Sequence, residues 1–411
     1  MVKEWPVERR VPGKRRNPAY AVFTLLVLAG GSALAADKTP IRVGDIESFS
    51  TMPVGTKGYR QGWQLAQDEL NAKGGILGRP LEVLNRDDQG KPDVAITQAN
   101  GLISSDKVDF LTGGSLSNIG LALTDFANYN KVLYLASQPI TDAVIWEKGN
   151  PYTFRLRPST YTQTAILAAE AAKLPAKRWA IIAPNYEFGQ ASVARFKAEM
   201  KRLKPDVEFV SEQWPPLGKI DAGAVIQATV ATNPDAIFNA TFGADLVKLV
   251  REGNSRGAFK GREVASVLTG EPEYLVPLKA ETPVGWLVTG YPVAQITRPE
   301  HVAFVDAYKA KFNELPNYGA LMGYMMVKVI EKAVTEAGGT NTAAMIKAVE
   351  KLEVDTPVGR IHYRAIDHQS TMGDWVGRLS IKDGEGLMTD WKYVDGADVQ
   401  PSDDFVRKAR P

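Results

Sequence analysis

Hydroxyl residues and glycines crowd one short stretch, "TGGSLSNIG" from Thr112 to Gly120, set between the apolar run "VDFL" and the periodic segment "LALTDFANY". A strand, a turn of small residues and a helix start make a seat for an anion. Backbone N–H groups point out of a helix N-terminus, and the helix dipole favours negative charge there. Ser115, Ser117 and Asn118 stand at that turn. The turn carries no Lys or Arg and lacks the G-x-x-x-x-G-K-[ST] phosphate loop, so a singly charged carboxylate fits it better than a triphosphate. The plainer reading is that Ser117 only caps its helix, and a cap can do both jobs.

Other loops at strand ends add to the inventory: "SFSTMP", "SQPIT", "NYEFG", "TFGAD" and "TGEPEY". They bring the hydroxyls of Ser137 and Thr141, the rings of Tyr186, Phe188, Phe242 and Tyr274, and the acids Glu187, Asp245 and Glu271. An acid such as Glu271 could pair with an ammonium, or could simply be solvated. The aromatics could wall an apolar side chain, or could serve packing. Catalysis finds little support, because no G-x-S-x-G elbow occurs and the three His (His301, His362, His368) are scattered without metal spacing. No Cys is present, which removes disulfides, thiolate zinc sites and cysteine nucleophiles. The pair Asp87-Asp88, followed by Pro92, reads more simply as a turn and helix start than as a metal site.

These loops need elements to hold them. From Ile41 short β-branched or apolar runs alternate with helical periodicity: "IRVGDIES" as a strand, "GYRQGWQLAQDELNAKGG" as a helix ended by Gly74-Gly75, "LEVLNR" as a strand, and so on through "KVLYLAS". After "YTFRLRPS" the rhythm restarts, which predicts two doubly wound lobes on parallel sheets with a seam near Arg157-Pro158. The tail from about Leu287 is less regular, with helices around "EHVAFVDAYKAKFN", "YGALMGYMMVKVIEKAVTEAG" and "TAAMIKAVEKL" and short strands near "GRIHYRA" and "DWVGRLSI". In open α/β sheets the ligand sits beyond the carboxyl ends of the strands, where all of these loops lie.

The 411 residues, 44% of them hydrophobic, suffice for two lobes with their own cores. Residues 1–36 read as a secretory signal peptide: Lys14, Arg15 and Arg16, then the apolar "AVFTLLVLAG", then the small-residue site Ala33-Leu34-Ala35, with cleavage near Ala35 or Ala36. The apolar stretch is short for a membrane span. Removing residues 1–36 takes away six basic and two acidic side chains and moves the formal net charge from +2 to −2. That balance gives no electrostatic case for nucleic acid. An exported, soluble protein of the periplasm is the expectation.

In this order the residues resemble the leucine/isoleucine/valine-binding proteins within the type I periplasmic solute-binding proteins of bacterial ABC importers. The resemblance runs over essentially all of the chain after the signal peptide. It rests on "ELNAKGGILGRPLEVLNRDDQGKPDVA" from Glu69 to Ala95, on "GGSLSN", "NYEFGQ" and "GEPEY", and on the late "RAIDHQS". It implies an α/β fold of the periplasmic-binding-protein type I kind, two Rossmann-like lobes joined by three crossover strands and closing on ligand like a hinged clamp. The first lobe would comprise residues 37–157 plus about 289–373, and the second residues 158–288 plus about 374–411. The implied role is capture of a small amphipathic carboxylate, a branched-chain or other apolar amino acid, for an ABC permease. The residues themselves give no expectation of cofactor, metal or catalysis, and a monomer is expected because the cleft must open and close freely.

Carried over by resemblance, Ser117 matches the hydroxyl that binds the amino-acid carboxylate, with Gln138, Pro139 and Thr141 beside it. Glu271 falls where the family places the acid for the α-ammonium. Tyr186, Phe188 and Phe242 fall where aromatics cover the ligand, and Tyr318 near where the returning first-lobe segment adds another. The chain departs from the pattern at Gly90 and Leu116, where branched-chain binders typically have a disulfide, and in the first loop "ESFSTMPVGTKG". Some members of the family bind aromatic carboxylates, amides or urea, and that alternative stays open, as does a periplasmic ligand sensor.

Overall fold

The computed structural model describes residues 39–410, so the expected signal peptide lies outside the described residues. The first half of the chain builds a five-stranded sheet from β1 (Ile41–Glu47), β2 (Leu81–Asp87), β3 (Phe110–Gly113), β4 (Tyr134–Ala136) and β5 (Thr153–Arg155). Its order is β2-β1-β3-β4-β5, and every pairing is parallel. Helices α1 (Pro53–Ala72), α2 (Pro92–Ser104) and α3 (Ser117–Asn130) connect its strands. Parallel neighbours need a crossover, which is why the sequence alternates the two periodicities as far as β4; β4 reaches β5 through a loop with a single 3₁₀ turn, Asp142–Val144.

After β5 the chain crosses into a second unit. There α4 (Thr160–Ala171), β6 (Arg178–Ile182), α5 (Glu187–Leu203), β7 (Glu208–Gln213), α6 (Ala222–Val230), β8 (Ala236–Asn239), α7 (Gly243–Ser255), β9 (Glu263–Gly270), α8 (Pro272–Leu278) and β10 (Leu287–Gly290) repeat the same winding. The chain then returns through α9 (Pro299–Phe312), α10 (Tyr318–Ala337), α11 (Thr342–Val349) and the hairpin β11 (Glu353–Thr356) and β12 (Gly359–His362). It crosses once more to β13 (Asp374–Lys382) and β14 (Glu385–Val394), and ends in α12 (Gly396–Val399) and α13 (Asp403–Ala409). The second sheet runs β14-β13-β10-β9-β8-β6-β7, with β13 and β14 antiparallel at its edge. Two crossing segments pair directly: the N–H of Arg155 donates to the His368 carbonyl at 3.0 Å, and that of Ser370 to the Arg155 carbonyl at 2.9 Å.

The shared strand order puts one switch point in each sheet, between β1 and β3 and between β6 and β8. Chains leaving opposite faces there open a crevice beyond the strand ends. On the first lobe α10 packs against α1 so closely that a Cβ on Gly62 would lie 2.0 Å from the Ala320 carbonyl oxygen, and one on Gly323 would lie 2.1 Å from the Tyr59 carbonyl oxygen. Glycine at these positions lets both helix N-termini converge on the crevice.

Several boundaries depart from the sequence expectation. Helix α1 begins at Pro53 rather than near Gly58, because proline at a first helical turn gives up only an N–H that has no intrahelical partner. The loop "SFSTMP" is shortened accordingly. Strand β14 and helices α8, α12 and α13 carry too few apolar residues, or are too short, to show a period.

Candidate ligand-binding cleft

The carboxyl end of β1 sets the floor on the first lobe. Its last turn brings Asp45 and Glu47 into full burial, and Asp88 joins them from the end of β2. The Ser48 hydroxyl donates to Asp88 Oδ1 at 2.6 Å, as does the Gly90 N–H at 2.7 Å, so Asp88 orders the turn after β2. The Ser115 hydroxyl donates to Glu47. The Tyr59 hydroxyl reaches Asp45 Oδ1 at 3.3 Å and lies 2.7 Å from Ser137 Oγ. One oxygen of each of the three acids has no partner among the described residues. Burial pushes the Asp45 carboxyl up to about 7, and burial with Asp45 and Asp88 nearby pushes Glu47 well above the usual carboxylate range.

Next to this floor stands the N-terminus of α3. Leu116 is its N-cap and Ser117 its first helical residue, so Ser117 is not the cap. The seat is already taken. The side chain and backbone of Ser117 hydrogen-bond the Tyr186 hydroxyl from the second lobe, and Ser117 Oγ accepts the Thr141 N–H at 3.3 Å. Burial pushes the Tyr186 phenol up, so it stays protonated. The Thr141 hydroxyl donates to Glu187 Oε1 at 2.6 Å across the lobes. Pro139 packs on Gly120, where an added Cβ would lie 2.3 Å from the proline Cβ.

The second-lobe wall begins with three rings. Tyr186, Phe188 and Phe242 pack on one another with centroids 5.6–6.3 Å apart. Gly243, at φ +60°, turns the chain into α7 and presents Ala244 and Val247 to the cleft. At the end of β9, Leu268 is buried at φ +66°, a left-handed conformation that costs a bulky residue of order 1–3 kcal/mol. Its N–H is held by Thr289 Oγ1 at 2.9 Å, and the bend delivers Glu271 to the start of α8.

Glu271 meets Arg157, which lies on the segment crossing from β5. Arg157 Nη2 stands 2.5 Å from Glu271 Oε1, and Nη1 donates to Gln138 Oε1 at 3.2 Å. The guanidinium lies over the Tyr318 ring, 4.5 Å from its centroid. Burial works against the Arg157 charge, but Glu271 and its other neighbours outweigh it and raise its pKa. Burial also drives the Glu271 carboxyl upward, with Glu273 and Asp374 adding to the push and Arg157 opposing it. We read the pair as ionised, because a guanidinium does not release its proton and sits within direct bonding distance. Glu273 reaches across to the N-terminus of α10, accepting the N–H of Gly319 at 2.9 Å and of Tyr318 at 3.2 Å.

Between these faces lies a cavity of about 490 Å³. Ser115, Gln138 and Glu271 reach its wall, whereas Ser117, Asn118, Pro139, Thr141, Tyr186, Phe188, Phe242 and Tyr318 stand behind it. Arg157 escaped the reading of the sequence; Glu273 and the turn Thr51–Thr56, with its apolar Met52, Pro53 and Val54, lie in or next to loops named there without having been singled out. Arg157 is one of two cations at the seam, with Arg155, and nothing local says which of them turns into the cleft. With an ion pair at one end and apolar side chains from both lobes, the cavity can hold a small amphipathic solute and orient its charged end. Among the described residues no group of three or more His, Cys, Asp or Glu could hold a metal ion, and no helix is long and apolar enough to cross a membrane.

Comparison with known proteins agrees with this architecture. A family model described as "Periplasmic binding protein" matches residues 40–385. The Leu/Ile/Val-binding protein homolog 7 of Brucella melitensis is 25% identical over 398 residues, covering 92% of this chain and 97% of its own. Homolog 4 of Brucella abortus is 24% identical over 377 residues, covering 87% of this chain and 88% of its own. Among solved structures, an ABC-transporter solute-binding protein of Rhodopseudomonas palustris in complex with 3,4-dihydroxybenzoic acid superposes with a TM-score of 0.79 at 23% identity, covering 87% of this chain and 98% of that one. The closed leucine-, isoleucine-, valine-, threonine- and alanine-binding protein of Brucella ovis gives 0.77 at 23% identity, covering 88% and 97%. These neighbours share the two-lobed type I fold. With the family model running from the first strand to the start of β14, the chain belongs to the periplasmic binding proteins, the solute-binding components of ABC transporters.

Proposed function

We propose that the protein captures a small apolar amino acid in the periplasm by closing its two lobes, and hands it to the permease of an ABC importer. Export through a signal peptide cleaved near Ala35 or Ala36, and action as a monomer, belong to the same reading. The observation that carries it is Glu271: a buried carboxylate on the wall of a cleft that is otherwise lined in large part by apolar side chains. Arg157 engages one of its oxygens, and the other takes no bond from the described residues. An α-ammonium brought there gains a charge-assisted bond away from water. Met52, Pro53 and Val54 from one lobe and Val247 and Pro277 from the other offer the apolar surface for a side chain.

A ligand touching both lobes binds the closed form better than the open one, and that difference in affinity drives closure. The lobes already meet through Thr141 with Glu187, Asp142 with Arg195 and Glu273 with α10, so closure has bonds of its own to build on.

One observation favours a second reading. Arg157 supplies Glu271 with a counter-charge, so the cleft does not require an amine. An amine-free aromatic carboxylate, of the kind bound by the Rhodopseudomonas palustris proteins solved with 3,4-dihydroxybenzoic acid, 4-hydroxybenzoate and benzoate, fits that state. Thermal unfolding of the exported protein with amino acids, aromatic carboxylates, short amides and urea separates the two. A ligand at a hundred times its dissociation constant adds about 2.7 kcal/mol, which is an upward shift of roughly 5 °C. Shifts from leucine, isoleucine or valine but not from their amine-free analogues uphold the amino-acid reading. Shifts from benzoates alone replace it.

A further inference from the structure

We propose that the guanidinium of Arg157 is the seat of the ligand's carboxylate. The inference rests on the reading above, that the ligand is a small carboxylate, and names the group that holds it.

The evident alternative seat, the N-terminus of α3, is occupied from within the protein. Tyr186 places its hydroxyl on the backbone and side chain of Ser117, and Ser117 Oγ also takes the N–H of Thr141. Ser117 is 1% exposed and does not reach the cavity. A carboxylate could enter there only by displacing a half-buried phenol and its three-ring packing.

Arg157 is the opposite case. Its side chain is 12% exposed and lines the cavity. A guanidinium has five N–H donors, and here Gln138 and Glu271 take two of them. The face of the guanidinium lies on Tyr318, which fixes its plane and leaves its edge for a planar acceptor. The other cations on the wall are differently placed: Arg251 is half exposed and tied to Glu281 at 2.7 Å, and Lys248 is 54% exposed beside Asp245. Arg157 is thus the buried cation of the cleft. Charge balance points the same way. Glu271 and Glu273 also face this end of the cavity, so an incoming carboxylate needs the one group that offsets them. With its carboxylate on Arg157, an amino acid places its ammonium toward Glu271, and the two ion pairs lie head to tail. The bound zwitterion therefore mirrors a pair that the protein has already assembled, and neither protein charge is left alone in the empty cleft.

The test crosses the side chain with the ligand group. Calorimetry of the full exported protein measures L-leucine against L-leucinamide, and benzoate against benzamide, on wild type, Arg157→Gln and the neutral double variant Arg157→Gln/Glu271→Gln. Wild type prefers whichever carboxylate it binds over the matching amide by at least about thirtyfold, the effect of a charge-assisted bond out of water. In Arg157→Gln that preference falls to within about threefold. The double variant removes both members of the buried Arg157–Glu271 pair together and shows the same collapse, which keeps the test open if the single variant folds poorly. A preference that persists in both variants overturns the assignment to Arg157 while the uptake of a carboxylate stands. Benzoate binding without leucine binding removes the amino acid and keeps Arg157 under test by the same comparison. Failure of both carboxylates to bind wild type overturns the proposed function and this inference together.

Discussion

The two faces of the cleft hold their charge in opposite ways. On the first lobe Asp45, Glu47 and Asp88 are packed under the floor, bonded to Ser115, Tyr59, Ser48 and the Gly90 N–H, and each is left with one unpartnered oxygen. Burial shifts all three toward the protonated form. On the second-lobe side burial pushes Glu271 and Glu273 upward too, but Glu271 is met by Arg157 and Glu273 by two backbone N–H groups, so each charge has a matching partner. The first lobe therefore supplies shape and donors, through backbone drawn in by the α1–α10 seam. The second lobe and the crossing segment supply charge. Neither face alone completes a site for an amphipathic solute, which is the physical reason for a clamp.

The largest expected effect tests the charged side. Glu271→Ala leaves an ammonium without its partner in a cleft shielded from water, and affinity for an amino-acid ligand falls by about 2–5 kcal/mol. Unchanged affinity in calorimetry would break the contrast by showing that the second-lobe charge is not used. The next tests the shaped side. Gly62→Ala drives a methyl into the Ala320 carbonyl, and separating α1 from α10 lowers stability by about 2–3 kcal/mol in denaturant unfolding. Ligand affinity drops with it if the seam sets the cavity wall, and stays level if it does not.

Glu273→Gln sharpens the comparison by asking how much of closure belongs to the protein. One N–H at the start of α10 loses its charged acceptor, which weakens binding by about 1 kcal/mol. Small-angle scattering of the unliganded protein should shift toward an open form, and an unaltered profile would show that the bond does not hold the lobes together. The smallest effect concerns the floor. Asp45 titrates near 7 in the folded protein and near 3.8 in the unfolded chain, so between those values the folded state holds a proton that the unfolded state has lost. Stability then falls as pH rises across that window. Asp45→Asn should flatten the decline in melting temperature between about pH 4 and pH 7 relative to wild type. A decline of unchanged steepness would mean that Asp45 is ionised in the fold, and the contrast between the faces would fade.

The alternation of runs was enough to place most strands and helices and both lobes, because parallel sheets with crossover helices enforce two periods that local residues display. It was also enough to nominate Glu271 and Ser115, since an acid and a hydroxyl on strand-end loops stand where such sheets open, whereas Gln138 was named through the family resemblance alone. It was not enough to place β14 or the short helices α8 and α12, whose period is too brief to register. Nor could it show that Tyr186 would occupy the α3 seat, or that Arg157, seen only as part of the seam, would turn into the cavity to meet a residue 114 positions away.

What the sequence determined by itself is the family, the doubly wound architecture and the loops from which a site can be drawn. These follow from short-range patterns, in which each residue answers to neighbours a few positions along the chain. What the tertiary structure alone decided is which of those side chains line the cavity. That depends on contacts between segments far apart in sequence, where one guanidinium can serve Gln138, Glu271 and Tyr318 at once, and one phenol can close the seat that the local motif had opened.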